Sequence, residues 1–194
     1  KAHLEISGIE FLRPEPPPPQ GYSISLIPGK EPRAWSFSNG PEFPGATGSL
    51  EIVGMNSIRL HGDFSKGGNY VALWHYFQKP LDLSAISFTV KTASKGIDLR
   101  LRDSDGQTHQ HYITLSGNPD EIQKVTLPVT GSPEHHWGGC NDGVLRLPIR
   151  GFAFSFHHWL VEKKGVVEFS NIEIHTPDYR VARQVRVTPV SPEK

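Results

Sequence analysis

Little in this chain can cross-link it, charge it or anchor it. A single cysteine, Cys140, rules out an internal disulfide and leaves the redox compartment open. Lysine and arginine match aspartate and glutamate at 20 each, so the formal net charge is zero. That removes any electrostatic case for a nucleic-acid partner or an anionic membrane surface. No apolar run approaches the ~18 residues of a membrane span, so no membrane insertion is expected. No segment sustains a helical period, and no signal peptide is visible. The chain opens at Lys1 without a methionine, and the expectation is a mature or excised fragment whose targeting segment is gone.

What remains is rich in turns and rings. The 194 residues include 19 glycines and 17 prolines, a composition that fits many strands joined by tight turns. Residues 3–12 alternate Leu4 and Ile6, then Ile9 and Phe11, with an irregularity at Ser7-Gly8, and read as a bulged strand. Residues 13–20 hold Pro14 and the run Pro16 to Pro19, which suits surface polyproline II. Further strand patterns fall at 22–27, 35–37, 49–53, 57–63, 70–77, 86–92, 97–102, 107–115, 122–127, 151–159 and 165–175. Leu81-Asp82-Leu83 reads as a turn, and Asp103-Ser104-Asp105-Gly106 is a strong hairpin signal, because Asp-Gly suits turns that match strand twist. The expectation is an all-β fold of about ten short strands, a β-sandwich or jelly roll over residues 1–176, with 177–194 as a tail or linker.

One loop carries more chemistry than a connector needs: His135-His136-Trp137-Gly138-Gly139-Cys140-Asn141-Asp142-Gly143. Its glycines and Asn-Asp-Gly suit turning rather than helix or strand. Binding residues concentrate on such loops when a rigid scaffold presents them. Its histidines are adjacent and chelate poorly, so Trp137, Asn141 and Asp142 are its interesting members.

Strand alternation sorts side chains onto faces. Ile97, Leu99 and Leu101 belong to the core, which puts Asp98, Arg100 and Arg102 opposite. Gln110 and Tyr112 oppose His109 and His111. Tyr70, Ala72, Trp74 and Tyr76 oppose Val71, Leu73, His75 and Phe77, and Ala153, Ser155 and His157 oppose Phe152, Phe154 and Phe156. One sheet face therefore mixes arginine, amide, small residues and rings. Sugars suit such a surface, because their C–H faces stack on aromatics and their hydroxyls take fork-like hydrogen bonds. Each ring also has an ordinary reading as core, and the arginines as a solvated row.

Catalytic patterns are thin. His109-x-His111 places two imidazoles on one face, as cupin metal sites do, but the cupin glycine and following carboxylate are missing. There is no Gly-x-Ser-x-Gly, phosphate loop or spaced cysteine set. A small jelly-roll polysaccharide lyase or hydrolase using Arg100, Gln107, His109 and Tyr112 stays open, although the lyases' C-terminal tyrosine-lysine motif is absent. A structural or protein-interaction sandwich stays open as well.

Five segments in order resemble one family: Phe43-Pro44-Gly45-Ala46-Thr47-Gly48, the stretch from Asp63 through Gly67-Gly68-Asn69 to Val71, that from Arg100 to Gln107, that from His136 to Gly143, and that from Val167 to Ile174. Together they resemble non-catalytic carbohydrate-binding modules of the galactose-binding-domain-like β-sandwich type, as attached to bacterial glycoside hydrolases. The resemblance spans about residues 35 to 175. It implies a secreted or cell-surface setting, an oligo- or polysaccharide ligand and a covalently linked catalytic domain. It implies a concave sheet face or an edge loop as sugar site, and the strand faces and loop read above make Trp74, Tyr76, Arg100, Arg102, Gln110, Tyr112, Trp137 and Asn141 the expected contacts. It further implies a structural calcium, for which Glu10, Glu42, Asn171 and Glu173 are the oxygen donors to test.

Overall fold

The computed structural model describes residues 21–177. The strand expected at 3–12, the polyproline segment, Glu10 and the tail from 178 lie outside the described residues. Twelve strands form two six-stranded antiparallel sheets. The first holds β1 (Tyr22–Leu26), β3 (Thr47–Val53), β4 (Ser57–Asp63), β6 (Ala85–Thr92), β9 (Gln123–Pro128) and β12 (Lys164–Thr176). Its order is β3-β4-β12-β6-β9, with β1 pairing the C-terminal half of β12. The second holds β2 (Trp35–Ser38), β5 (Tyr70–Leu81), β7 (Gly96–Arg102), β8 (Thr108–Thr114), β10 (His136–Trp137) and β11 (Ile149–His157), in the order β10-β8-β7-β11-β5-β2. The fold is an all-β sandwich, as the turn spacing and alternation imply.

Alternation builds the core directly. In β4, Ile58 and Leu60 are fully buried while their neighbours are not. In β12 the buried set changes parity, from Val167 and Phe169 to Ile172 and Ile174. The pairing with β6 shifts register between Ser170 and Glu173, and Asn171 there has φ of 49°. One extra residue turned through the left-handed region thus keeps both halves of the longest strand facing inward. Between the sheets, Phe154 of β11 stacks on Phe169 of β12 at 4.3 Å and packs against Phe88 of β6 at 4.5 Å. These rings join the two layers.

Four local expectations are corrected. The strand count is twelve within the described residues. β5 runs on to Leu81, where a turn is expected, because an irregularity between Ile149 and Gly151 of β11 absorbs the offset. β11 ends at His157, and a 3-10 turn (His158–Leu160) carries Trp159 out of the sheet. His136 and Trp137, expected only to turn, pair with His109 and Thr108 as β10 before Gly138 bends the chain at φ 78°.

Candidate binding face

The register of the second sheet aligns its outward side chains in rows. One row reads Ser36, Trp74, Ala153, Arg100, Gln110 across β2, β5, β11, β7 and β8. The next reads Tyr76, Gly151, Arg102, Thr108, Trp137, ending on β10. On the other flank lies Ala72, Ser155, Asp98, Tyr112. Seven of the eight side chains expected to meet a sugar therefore share one face, brought there by β5, β7, β8 and β10.

The middle strand of that face, β11, contributes only Gly151, Ala153 and Ser155 along this stretch, all of them buried. They are covered because larger neighbours lie across them. A Cβ added to Gly151 would come within 2.8 Å of Tyr76 Cδ1, so the ring occupies that space. Tyr112 likewise covers Gly96, where an added Cβ would meet its hydroxyl. The Trp74 and Tyr76 rings are parallel to within 4° at 5.2 Å. Trp74 is half-buried, and Tyr76, Tyr112 and Trp137 are exposed. Rings held down in this way present an apolar surface to solvent without standing free.

Arg100 is the unusual member. Its side chain is only 4% exposed, and none of the ion pairs among the described residues includes it. Nε donates to Gln110 Oε1 at 2.8 Å, and the guanidinium carbon lies 3.9 Å from the Tyr70 ring centre and 5.3 Å from that of Trp137. Cation–π attraction and one hydrogen bond replace the lost water. A cavity of about 410 Å³ opens here, with Arg100, Gln110, Tyr70 and Trp137 joined by Glu42, Phe43, Asn69, His157 and Trp159. The Tyr70 hydroxyl donates to Glu42 Oε1 at 2.5 Å. Burial pushes the Tyr70 phenol up, the Glu42 bond adds to this, and Arg100 opposes both. Beneath, His157 Nε2 contacts Asp98 Oδ2, and its ring stacks on Trp159 at 4.1 Å.

Asn141 does not join that cavity. It is exposed, takes φ of 52° and closes a turn by donating its N–H to Gly138 O at 3.0 Å. The loop beyond it is tied to the β7–β8 hairpin. Gln107 is fully buried; its Oε1 accepts from Gly143 N at 3.0 Å, and its Nε2 donates to Val144 O at 3.1 Å and to Asp142 Oδ1 at 3.3 Å. Asp105 accepts from Cys140 N at 3.0 Å. Asp142 is bridged by both guanidinium nitrogens of Arg146, which with the Val144 N–H holds its carboxyl well below the usual range. So Asn141 and Asp142 serve turn and loop chemistry, and Trp137 alone of this stretch reaches the face.

The enzyme set is not assembled. His109 lies on the core side, with Nδ1 accepting from Ser132 N at 3.1 Å and Nε2 donating to Asp103 Oδ2 at 3.2 Å. Gln107 is spent on the loop. Arg100 and Tyr112 lie on the opposite face from His109. His111 Nε2 donates to Thr130 O at 3.1 Å, so the His-x-His pair holds structure rather than a metal. At Cys140, hydrogen bonding to Asp105 and the charge of that carboxylate push the thiol up, the reverse of an activated nucleophile.

The calcium set is also divided. Glu42 is engaged by Tyr70 on the binding face, whereas Asn171 and Glu173 border a separate cavity of about 160 Å³ beside β1. Asn171 Nδ2 donates to Thr89 Oγ1 at 3.3 Å. Among the described residues no cluster of three or more His, Cys, Asp or Glu side chains could hold a metal ion. The three donors do not fit one calcium site. Conversely, Tyr70, Phe43, Trp159 and His157, the last held by Asp98, line the cavity but do not belong to the expected site. Tyr70 and His157 share the parity of Trp74 and Ser155, which was the available signal; Phe43 and Glu42 come from a loop with none.

No family model matches the chain, and no curated protein matches it in sequence. Solved structures do match in fold. A family 11 carbohydrate-binding module from Clostridium thermocellum, in complex with a β-1,3-1,4-mixed-linked tetrasaccharide, aligns at TM-score 0.61 and 17% identity over 81% of this chain and 96% of its own. A mutant family 29 carbohydrate-binding module complexed with mannohexaose aligns at 0.52 and 14% over 87% and 99%. An agarase aligns at 0.54 and 14% over 81% of this chain but 25% of its own length. The chain has the fold of the β-sandwich carbohydrate-binding modules.

Proposed function

We propose that this chain is a non-catalytic carbohydrate-binding domain that receives an oligo- or polysaccharide across the outer face of β10-β8-β7-β11-β5-β2. The observation that carries this is the stacked Trp74 and Tyr76 pair beside the small residues of β11, next to a buried arginine without an ion-pair partner among the described residues. The exposed surface of the stacked pair suits pyranose C–H groups. Arg100, Arg102 and Gln110 supply hydrogen bonds to hydroxyls along the same rows. The match in fold to modules named with bound oligosaccharides supports the same reading. In this role the domain holds a linked glycan-active enzyme to its polymer outside the cell.

Affinity electrophoresis through gels of mixed-linked β-glucan, mannan, agarose and polyuronates tests the proposal. Retardation in at least one gel is expected, with Trp137→Ala and Trp74→Ala each weakening it by ~10-fold or more, the scale of about 1.4 kcal/mol for a buried aromatic contact. Absence of retardation in every gel, with both variants folded and indistinguishable from the parent, would overturn it. Release of reducing ends or unsaturated uronate by the purified chain would favour the enzyme reading instead.

A further inference from the structure

The donors left over on Arg100 point to the ligand's charge, an argument that rests on the glycan-binding reading above. A buried guanidinium is costly unless its charge and its N–H groups are answered. Tyr70 and Trp137 lie against Arg100, and Nε is satisfied by Gln110. Among the described residues no carboxylate pairs with Nη1 or Nη2, and the neutral Tyr70 hydroxyl is the group that Arg100 approaches as a donor, so the guanidinium lines the cavity with its charge unanswered. The carboxylates nearby are already engaged. Asp98, two residues back on the same face, takes His157 and Ser155. Glu42 meets the hydroxyl edge of Tyr70, while Arg100 lies over the ring's face, and the two are not within ion-pair distance. Arg102, exposed in the adjoining row, is also without an ion pair among the described residues.

We infer that the ligand is an acidic glycan, and that a uronate carboxylate docks on the Nη1/Nη2 edge of Arg100 with Arg102 near the next acidic group. A neutral hydroxyl accepts one hydrogen bond from the fork and leaves the charge unanswered. A carboxylate accepts two in parallel and neutralises it beside a largely buried guanidinium, where the pairing is screened less than on open surface. The zero net charge of the chain gives no long-range preference for polyanions, so the selection is local to this cavity.

The test is isothermal titration of the full chain with oligogalacturonate, the same oligomer methyl-esterified, cellohexaose and a sulfated galactan oligomer. The free acid is expected to bind at least tenfold more tightly than its ester, which differs only in masking the carboxylates. That advantage should shrink with added salt and fall to within about twofold in Arg100→Gln. Because Arg100 is buried, its variant is checked by circular dichroism, and the exposed Arg102→Gln provides a second reading, an intermediate loss of the acid's advantage. Equal binding of acid and ester, or preference for cellohexaose or for the sulfated oligomer alone, overturns the inference and leaves glycan binding standing. Binding of none of the four, together with no retardation in any polysaccharide gel, sinks both.

Discussion

His75 shows how a single side chain constrains this sandwich. It points inward from β5, boxed by Trp35 at 4.6 Å, Phe152 at 5.5 Å and Phe77 at 5.3 Å, and its Nδ1 has no hydrogen-bond partner among the described residues. Burial drops its pKa to about 4. The folded form resists a proton that the unfolded chain accepts near its ordinary value of about 6.5, so the unfolded state binds more protons between those two pH values. Stability is therefore expected to be complete above pH 6.5 and to decline as pH falls toward 4, by roughly 3 kcal/mol from this group. Urea denaturation of the parent and of His75→Phe at pH 4.5, 5.5 and 7.5 measures it. The difference between the two proteins should change with pH; parallel curves would mean that His75 does not titrate in this way. The outward neighbours Trp74 and Tyr76 carry none of this burden, which is why one strand can pair a rigid apolar side with a binding side.

At the scale of elements, the β7–β8 hairpin and the loop after β10 act as one unit. Gln107 links them with three side-chain hydrogen bonds, and Asp103 and Asp105 add backbone contacts to Arg146 and Cys140. Gln107→Ala leaves buried donors and acceptors unpaired and is expected to cost about 1–3 kcal/mol. It should also loosen Trp137 and weaken glycan binding, although Gln107 touches no ligand. Denaturation together with titration of the same variant checks both; lost stability with unchanged affinity would uncouple the loop from the face. The sorting of Arg100 and Arg102 away from Leu99 and Leu101 was legible because a strand has a period of two, and so was the shared face of Trp74 and Tyr76. The two-residue β10 was not, since so short a strand shows no alternation. Asn141 misleads for a related reason: a polar turn residue that bends the chain and one that binds a ligand look alike in sequence. The Glu42–Tyr70 bond joins residues 28 apart through a loop without periodicity, and only the folded chain reveals it.

For the whole molecule the question is which side of the sandwich meets a ligand, and cavity size alone would choose wrongly. The outer face of the first sheet borders a cavity of about 740 Å³, larger than that beside Arg100. Its charges, however, are arranged in register as Glu51, Arg59, Glu168, Lys91 across β3, β4, β12 and β6. Arg59 donates to Glu168 at 2.7 Å and reaches Glu51 at 3.5 Å. A ladder of alternating charge answers itself and leaves little for a ligand to satisfy, and no aromatic ring among the described residues lines that cavity. The second sheet has the opposite character, with exposed rings and an arginine without a counter-charge among the described residues. Arg59→Ala and Lys91→Ala are thus expected to leave glycan affinity within about twofold of the parent, while Trp74→Ala and Trp137→Ala reduce it by ~10-fold or more. Amide chemical shifts on titration with a bound oligosaccharide give the same answer without mutation, moving in β5, β7, β8 and β10 and not in β3 or β4. Shifts concentrated around Arg59 and Lys91 would transfer the site to the other sheet.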